Sequence, residues 1–134
     1  MTTDEIIEHI HKKKGSQMVF PFGYLPVCFK VCNRLFAELY PKEDGRKITL
    51  RCDPILAEAW RQQYPGGVIP GYHCPERQRR YKNTVLLDMG LADEMIRIMI
   101  DHSYDEAVKR LKKSDRDALD CLDQETGEEH ATNL

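Results

Sequence analysis

Apolar and polar residues alternate at strand spacing in the first half of the chain. The alternation predicts three antiparallel strands, over VCFKV (27–31), RLFAELY (34–40) and RKITLRC (46–52). The first two strands form a hairpin that turns at Cys32-Asn33, because asparagine tolerates the left-handed backbone of a tight turn. A second turn, at Asp44-Gly45, precedes the third strand.

Helical spacing begins at the N-terminus, where Ile6, Ile7 and Ile10 form one apolar stripe. Thr3 can cap this first helix, and Gly15 ends it.

The segment from Asp53 to Gly67 shows the clearest helix signals. Asp53 can cap the helix, and Pro54 occupies the first position, where its missing N–H costs nothing. Pro65-Gly66-Gly67 ends it. Trp60 lies on the apolar side of this helix, so we expect it to pack in the core against the sheet.

The segment LADEMIRIMIDH (91–102) predicts a further helix, whose inward residues are Leu91, Met95, Ile98 and Met99. The sequence SYDE (103–106) has the form of a capping box. It predicts a break near His102 and a second helix through Leu111.

Two more strand-like segments, 68–73 and 83–88, flank a basic tract. The order of elements is helix, three strands, helix, two strands and one or two helices. Meandering strands with inserted helices predict an α+β fold, with an antiparallel sheet of about five strands and helices packed on one face.

Composition fits this fold class. A chain of 134 residues with 41% apolar and 31% charged residues is typical of one globular domain. No apolar run approaches the ~18 residues of a transmembrane helix, and no secretory signal begins the chain, so we expect a cytoplasmic protein with no membrane partner. The five cysteines then predict reduced thiols, and their spacing matches no metal motif.

Charge divides the chain into two parts. Residues 114–134 carry seven acidic residues and one basic residue, and the preceding body is mildly basic. We therefore expect a domain over 1–113 and a disordered acidic tail over 114–134, which could fold over the body and compete with anionic partners.

Four short motifs between residues 20 and 113 give the chain a resemblance to a known family: Cys52-Asp53-Pro54, Pro70-Gly71-Tyr72-His73, Asn83-Thr84-Val85 and Asp101-His102-Ser103-Tyr104. In this order and at this spacing they resemble the MmcQ/YjbR family of small bacterial proteins. The resemblance implies a frataxin-like (CyaY-like) α+β fold in a double-wing arrangement, and a role in DNA binding. Because a fold does not determine function, the site residues have to carry that role.

The basic tract supplies residue types that suit DNA. Arginine forks match phosphate oxygens, and a tyrosine can stack on a base or sugar. The candidate nucleic-acid-binding residues are Arg77, Arg79, Arg80, Tyr81, Lys82, Lys47 and Arg51. Nothing in the sequence supplies a recognition helix, and a pI of 6.2 is low for a dedicated binder, so the prediction is weak, salt-dependent and largely non-specific binding. The alternative is a hairpin tip made soluble by its charge.

The segment FPFGYLP (20–26) supports a second hypothesis. Its rings either pack as a lid over the sheet edge or form an aromatic recognition surface. In the second case the protein is a protein- or small-ligand-binding module, with candidate residues Phe22, Tyr24, Tyr72 and His73.

His73 is also the best candidate for catalysis, because histidine titrates near neutral pH. The sequence shows no motif that would supply its partner, nucleophile or metal. We therefore expect a structural histidine in a non-enzymatic monomer that uses no metal and no cofactor.

Overall fold

The computed structural model describes residues 1–42 and 45–132. Asp44 of the predicted Asp44-Gly45 turn lies outside this range. The described elements are, in chain order, α1 (Thr3–His11), β1 (Ser16–Val19), β2 (Val27–Val31), β3 (Arg34–Tyr40), β4 (Lys47–Arg51), α2 (Pro54–Gln63), β5 (Val68–Pro70), a 3₁₀ helix (Glu76–Tyr81), β6 (Lys82–Leu86), α3 (Asp93–Lys109) and α4 (Lys113–Thr132).

The strands form one six-stranded antiparallel sheet in the order β1-β2-β3-β4-β6-β5. The predicted α+β fold is confirmed, with one strand more than expected. The additional strand is β1, whose sequence SQMV is too short and too polar for a clear alternation.

One row of apolar residues crosses the sheet in register. It runs through five strands and consists of Val27, Leu39, Ile48, Val85 and Val68. These side chains share one core with Ile6 and Ile10 of α1, Trp60 of α2 and Ile100 of α3. Each fully buried side chain of this size stabilises the fold by about 1.5–3 kcal/mol relative to leaving it exposed. The helices therefore pack on one face of the sheet, as the sequence predicted.

A β-bulge interrupts the pairing of β2 with β3. Phe29 pairs with Ala37 and Lys30 with Leu35, which leaves Phe36 as the extra residue. The Phe36 ring is buried and meets Tyr104 of α3 edge to face, with centroids 5.4 Å apart. Because of the bulge, the consecutive residues Phe36 and Ala37 both contribute their side chains to the core.

The turn between these strands follows the sequence prediction. Cys32 and Asn33 have φ angles of 45° and 67°, the left-handed pair that a two-residue hairpin turn requires.

The sequence predicted the cap of α2 correctly and the cap of α1 with a shift of one residue. Asp53 caps α2 by accepting hydrogen bonds from the N–H groups of Ile55 and Leu56 at 3.1 Å. The cap of α1 is Thr2 and not Thr3: its hydroxyl accepts from the N–H of Glu5, whose carboxylate accepts from the N–H of Thr2.

The predicted break near His102 is wrong, because α3 is continuous from Asp93 to Lys109. Ser103 is fully buried and bonds to the sheet instead of capping a new helix. The inward face also differs: Ile98 is 42% exposed, whereas Ile96 and Ile100 are buried with Met99.

Helix α4 lies where the sequence predicted a disordered tail. Leu119 is 5% exposed and packs beside Gly15 so closely that a Cβ on Gly15 would lie 2.5 Å from its Cδ1. Asp120 lies 3.6 Å from the ammonium of Lys14. The polar composition of this segment concealed Leu119, an apolar residue that packs against the rest of the fold. Whether residues 114–134 act as a unit apart from 1–113 stays a prediction.

None of the described helices is both long and apolar enough to cross a membrane.

Candidate functional site

The basic tract forms the 3₁₀ helix Glu76–Tyr81, in the connection between the antiparallel strands β5 and β6 where the sequence placed a hairpin tip. Arg61 of α2 anchors it. Its Nε donates to Oδ1 of Asn83 at 2.6 Å, and its Nη2 donates to the carbonyl oxygens of Arg79 and, at 3.0 Å, of Lys82. Because a guanidinium can serve several acceptors at fixed angles, one side chain holds the C-terminal end of this 3₁₀ helix and the start of β6.

Tyr81 ends this helix beside two arginines. The Cζ atoms of Arg51 and Arg110 lie 4.6 Å and 5.9 Å from the centroid of its ring, both within the range of a cation–π contact. The carbonyl oxygen of Tyr81 accepts a 2.8 Å hydrogen bond from the N–H of Cys52. The ring is partly exposed, and its backbone is fixed to the end of β4.

Two shallow grooves meet at Arg51, Tyr81 and Arg110, which line both of them. One has a volume of about 240 Å³, and the other about 290 Å³. We call the two grooves together the Tyr81 groove. It is defined by the ring of Tyr81 and by six basic residues, Arg34, Arg51, Arg80, Lys82, Lys109 and Arg110.

Few acidic groups neutralise this surface. Lys109 pairs with Glu106 at 3.1 Å, and Lys82 lies 3.9 Å from Glu38. Within the described part of the chain, the other four basic residues of the Tyr81 groove have no carboxylate within 4.0 Å; they are Arg34, Arg51, Arg80 and Arg110. These guanidinium groups are thus available to an anionic partner.

The structure brings together only some of the predicted nucleic-acid-binding residues. Arg51, Arg80, Tyr81 and Lys82 lie in the Tyr81 groove. Arg77 and Arg79 are exposed on the 3₁₀ helix but do not line either groove.

Lys47 was predicted to extend this surface, and that placement is wrong. It is 4% exposed, at the opposite end of β4 from Arg51, with its ammonium 4.4 Å from the ring centroid of Tyr72.

The sequence interpretation missed Arg34, Lys109 and Arg110. Arg34 begins β3, whereas Lys109 and Arg110 end α3, so no local pattern links them. The pairing of β3 with β4 and the packing of α3 on the sheet place them beside Tyr81.

The aromatic segment 20–26 does not form the predicted buried lid. Phe20, Phe22 and Tyr24 are 50%, 71% and 81% exposed. They follow edge strand β1, whose Met18 is 41% exposed. The recognition-surface alternative therefore has the accessible rings that it requires.

Tyr72 and His73 come shortly after β5 in the chain. Tyr72 packs edge-on against Tyr40, with centroids 5.3 Å apart, and its N–H donates to Oγ1 of Thr84 at 2.7 Å.

Behind Tyr72, the second face of the sheet carries a buried polar cluster. The hydroxyls of Thr49 and Thr84 lie 2.7 Å apart, and the Tyr40 hydroxyl donates to Oε2 of Glu38 at 3.4 Å. Burial, and then the charge of Glu38, raise the pKa of the Tyr40 phenol. The same two causes raise the pKa of the Cys28 thiol to about 11. Both groups stay protonated at neutral pH and are weak nucleophiles.

His73 has the backbone of a turn residue, with φ of 53°, and its exposed ring meets that of Tyr72 at 4.0 Å. Among the described residues no carboxylate forms a hydrogen bond with it. The same residues contain no group of three histidine, cysteine or acidic side chains arranged to hold a metal ion.

The fold and the groove define a small α+β protein with helices on one face of an antiparallel sheet and a basic surface around one tyrosine. The profile of the YjbR family matches residues 11–106. The uncharacterised protein YjbR of Escherichia coli K12 is 31% identical over 119 residues, which cover 89% of this chain and 98% of that protein. The chain belongs to the YjbR family, and the resemblance in its motifs is confirmed.

Solved structures share the fold. A crystal structure of a Deinococcus radiodurans protein from the domain family DUF419 matches with a TM-score of 0.80 at 28% identity, over 88% of this chain and 87% of that one. A crystal structure from Pseudomonas syringae matches with a TM-score of 0.65 at 24% identity, over 80% of this chain and 99% of that one.

Proposed function

We propose that this YjbR protein is a non-enzymatic DNA-binding protein that uses the Tyr81 groove. The observation that carries the proposal is the set of four arginines that line the grooves beside the Tyr81 ring and that have no carboxylate within 4.0 Å in the described part of the chain. Guanidinium groups of this kind bind phosphate oxygens through paired hydrogen bonds.

The same surface explains why the binding is weak and largely independent of sequence. Sequence is read mainly when a helix or a β-ribbon enters the major groove. Here the 3₁₀ helix lies against α2 through Arg61 and does not project. Phosphate contacts therefore dominate, and they position DNA without selecting its bases.

The salt dependence of binding tests the proposal. Each phosphate neutralised contributes about −0.9 to the slope of log K against log salt concentration, so four arginines predict a slope of roughly −3 to −4. We expect the triple change Arg34→Ala, Arg80→Ala and Arg110→Ala to weaken binding of a fluorescent duplex equally across sequences. Its slope should become shallower by about 2 to 3.

Two arginines outside the groove, one exposed and one partly exposed, provide matched controls. Arg77 lies on the same 3₁₀ helix, and Arg97 lies on α3, where it pairs with Glu94 at 3.7 Å. Replacing either with alanine should leave the slope nearly unchanged. An unchanged slope in the triple variant, or an equal loss in the controls, would contradict the role of the groove.

The exposed aromatic segment favours a second candidate function, the binding of a partner protein. Phe22 and Tyr24 are 71% and 81% exposed beside an edge strand, and aromatic residues dominate the energetics of many protein interfaces. A photo-crosslinking amino acid at position 22 should capture a discrete partner in bacterial cells. Position 55 is the control, because Ile55 is 82% exposed on α2 and lies outside the segment. Equal labelling from both positions would reject a specific interface.

A further inference from the structure

We infer that the Tyr81 groove takes single-stranded DNA in preference to duplex DNA. This inference rests on the proposed function and specifies its ligand. Three features of the groove carry it: its shape, the position of the tyrosine ring and the absence of a projecting element.

The first feature is the shape. Each groove has a volume below the ~300 Å³ at which small-molecule pockets begin, and both are shallow. They adjoin, since Arg51, Tyr81 and Arg110 line both. Two adjoining shallow grooves, taken together as one open channel, suit a strand that lies along the surface better than a compact molecule that needs enclosure.

The second feature is the ring at the junction. Tyr81 lines both grooves, so consecutive nucleotides that follow the channel pass the ring. The guanidinium groups of Arg51 and Arg110 lie over this ring, with their Cζ atoms 4.6 Å and 5.9 Å from its centroid, so planar positively charged groups and the ring together form the surface that a base and its phosphate would contact. Aromatic stacking with a phosphate-tracking groove is the usual means of binding a single strand without sequence preference.

In a duplex, neighbouring base pairs already cover the faces of each base. The Tyr81 ring could reach one only by intercalation, and its backbone is held by hydrogen bonds from Cys52 and from Arg61 to the adjacent residue. An unpaired base exposes its face at no such cost.

The third feature is the low relief around the ring. The β2–β3 turn on one side is the two-residue turn Cys32-Asn33, and the 3₁₀ helix on the other side is anchored to α2. Neither resembles the helix or ribbon that fills the major groove, which is about 12 Å wide. Duplex DNA would therefore touch the basic rim without contacting the ring.

The channel is also preformed. The N–H of Arg51 donates to the hydroxyl of Ser103 at 2.8 Å, which fixes the end of β4 against α3. A rigid site loses less entropy on binding than a flexible one.

The experiment compares three fluorescent ligands of equal length at low salt: a 12-nucleotide oligothymidine, the corresponding duplex, and an abasic strand that keeps the phosphates but lacks bases. With the unaltered protein we expect oligothymidine to bind roughly five- to hundredfold more tightly than the abasic strand, from the stacking of one base. It should also bind at least fivefold more tightly than the duplex.

Variants of Tyr81 test whether its ring is the surface on which a base stacks. Tyr81→Leu should remove most of the difference between oligothymidine and the abasic strand, whereas Tyr81→Phe keeps the ring and should preserve it. Tyr24→Leu is the aromatic control outside the groove, because Tyr24 is 81% exposed in the segment before β2.

The outcomes separate the two proposals. Equal binding of the abasic strand, or duplex binding as tight as that of oligothymidine, would overturn the single-strand inference and leave the DNA-binding function standing. Failure of all three ligands to bind at low salt would overturn both. Because the ligand comparison uses the unaltered protein, it decides the matter even if Tyr81→Leu fails to fold.

Discussion

The hydroxyl of Ser103 donates a 2.5 Å hydrogen bond to the carbonyl oxygen of Phe36, the extra residue of the β-bulge. The hydroxyl oxygen of Ser103 in turn accepts a 2.8 Å hydrogen bond from the N–H of Arg51. One side chain of α3 thus joins β3 and β4 where the sheet forms the wall of the Tyr81 groove. It satisfies two backbone groups that the bulge and the strand end leave without a strand partner.

Ser103→Ala should therefore lower the free energy of unfolding by about 2 kcal/mol, because a buried polar group left unsatisfied costs roughly 1–3 kcal/mol. Urea unfolding followed by circular dichroism measures the loss. Ser114→Ala provides the control, since Ser114 is exposed near the start of α4. Similar small losses in both variants would show that water replaces the hydroxyl.

Arg61→Lys should loosen the 3₁₀ helix. A lysine cannot reproduce the bonds to Asn83 and to the carbonyl oxygens of Arg79 and Lys82, so we expect a loss of about 1–3 kcal/mol in the free energy of unfolding. Hydrogen exchange should rise mainly over residues 76–82. Arg97→Lys is the control, because Arg97 forms only a partly exposed pair with Glu94. Unchanged exchange in Arg61→Lys would show that α2 does not anchor the turn.

Local chemistry made much of the fold predictable. The positive φ angles at Cys32-Asn33 and the cap at Asp53 depend only on neighbouring residues, so sequence patterns identify them. The predicted break in α3 failed because Ser103 has two possible partners, a helix N-terminus or the sheet. Only tertiary packing decides between them, and burial beside Phe36 favours the sheet.

The candidate site was less predictable than the fold. Arg51, Arg80, Tyr81 and Lys82 occur in or beside strands that the sequence identified, and the predicted basic surface includes them. Arg34 and Arg110 join them through the pairing of β3 with β4 and the packing of α3, both of which are non-local. Lys47 lies on the same strand as Arg51, but four residues along a strand span about 13 Å, so the two cannot share a compact site.

Leu119→Ala tests whether α4 packs on the rest of the chain. Leu119 is 5% exposed against Gly15, so we expect the free energy of unfolding to fall by about 2–3 kcal/mol. Leu122→Ala is the matched control: Leu122 lies on the same helix but is 39% exposed, and its loss should be well under half as large. Thermal or urea unfolding compares the two. Equal, negligible losses would indicate a tail detached from the fold.

Asp101→Asn tests an ion pair that joins α1 to α3. Oδ1 of Asp101 accepts from Nε2 of His9 at 2.7 Å and lies 2.5 Å from Nζ of Lys13. Burial alone would raise the pKa of Asp101, but the hydrogen bonds and charges of Lys13 and His9 outweigh it and lower the pKa below its usual value.

A carboxyl whose pKa is lowered in the folded state stabilises the protein above its unfolded pKa of about 3.9, and this stabilisation disappears as the pH falls through the folded pKa. The unaltered protein should thus exceed Asp101→Asn in free energy of unfolding at pH 6, by less than about 1 kcal/mol because the carboxylate is partly exposed and screened. The difference should shrink as the pH falls below about 4. Urea unfolding from pH 6 down to pH 3 measures it, with Asp105→Asn, at an exposed position on the same helix, as the control. A difference that stayed constant across this range would show that the contribution of Asp101 does not come from its charge.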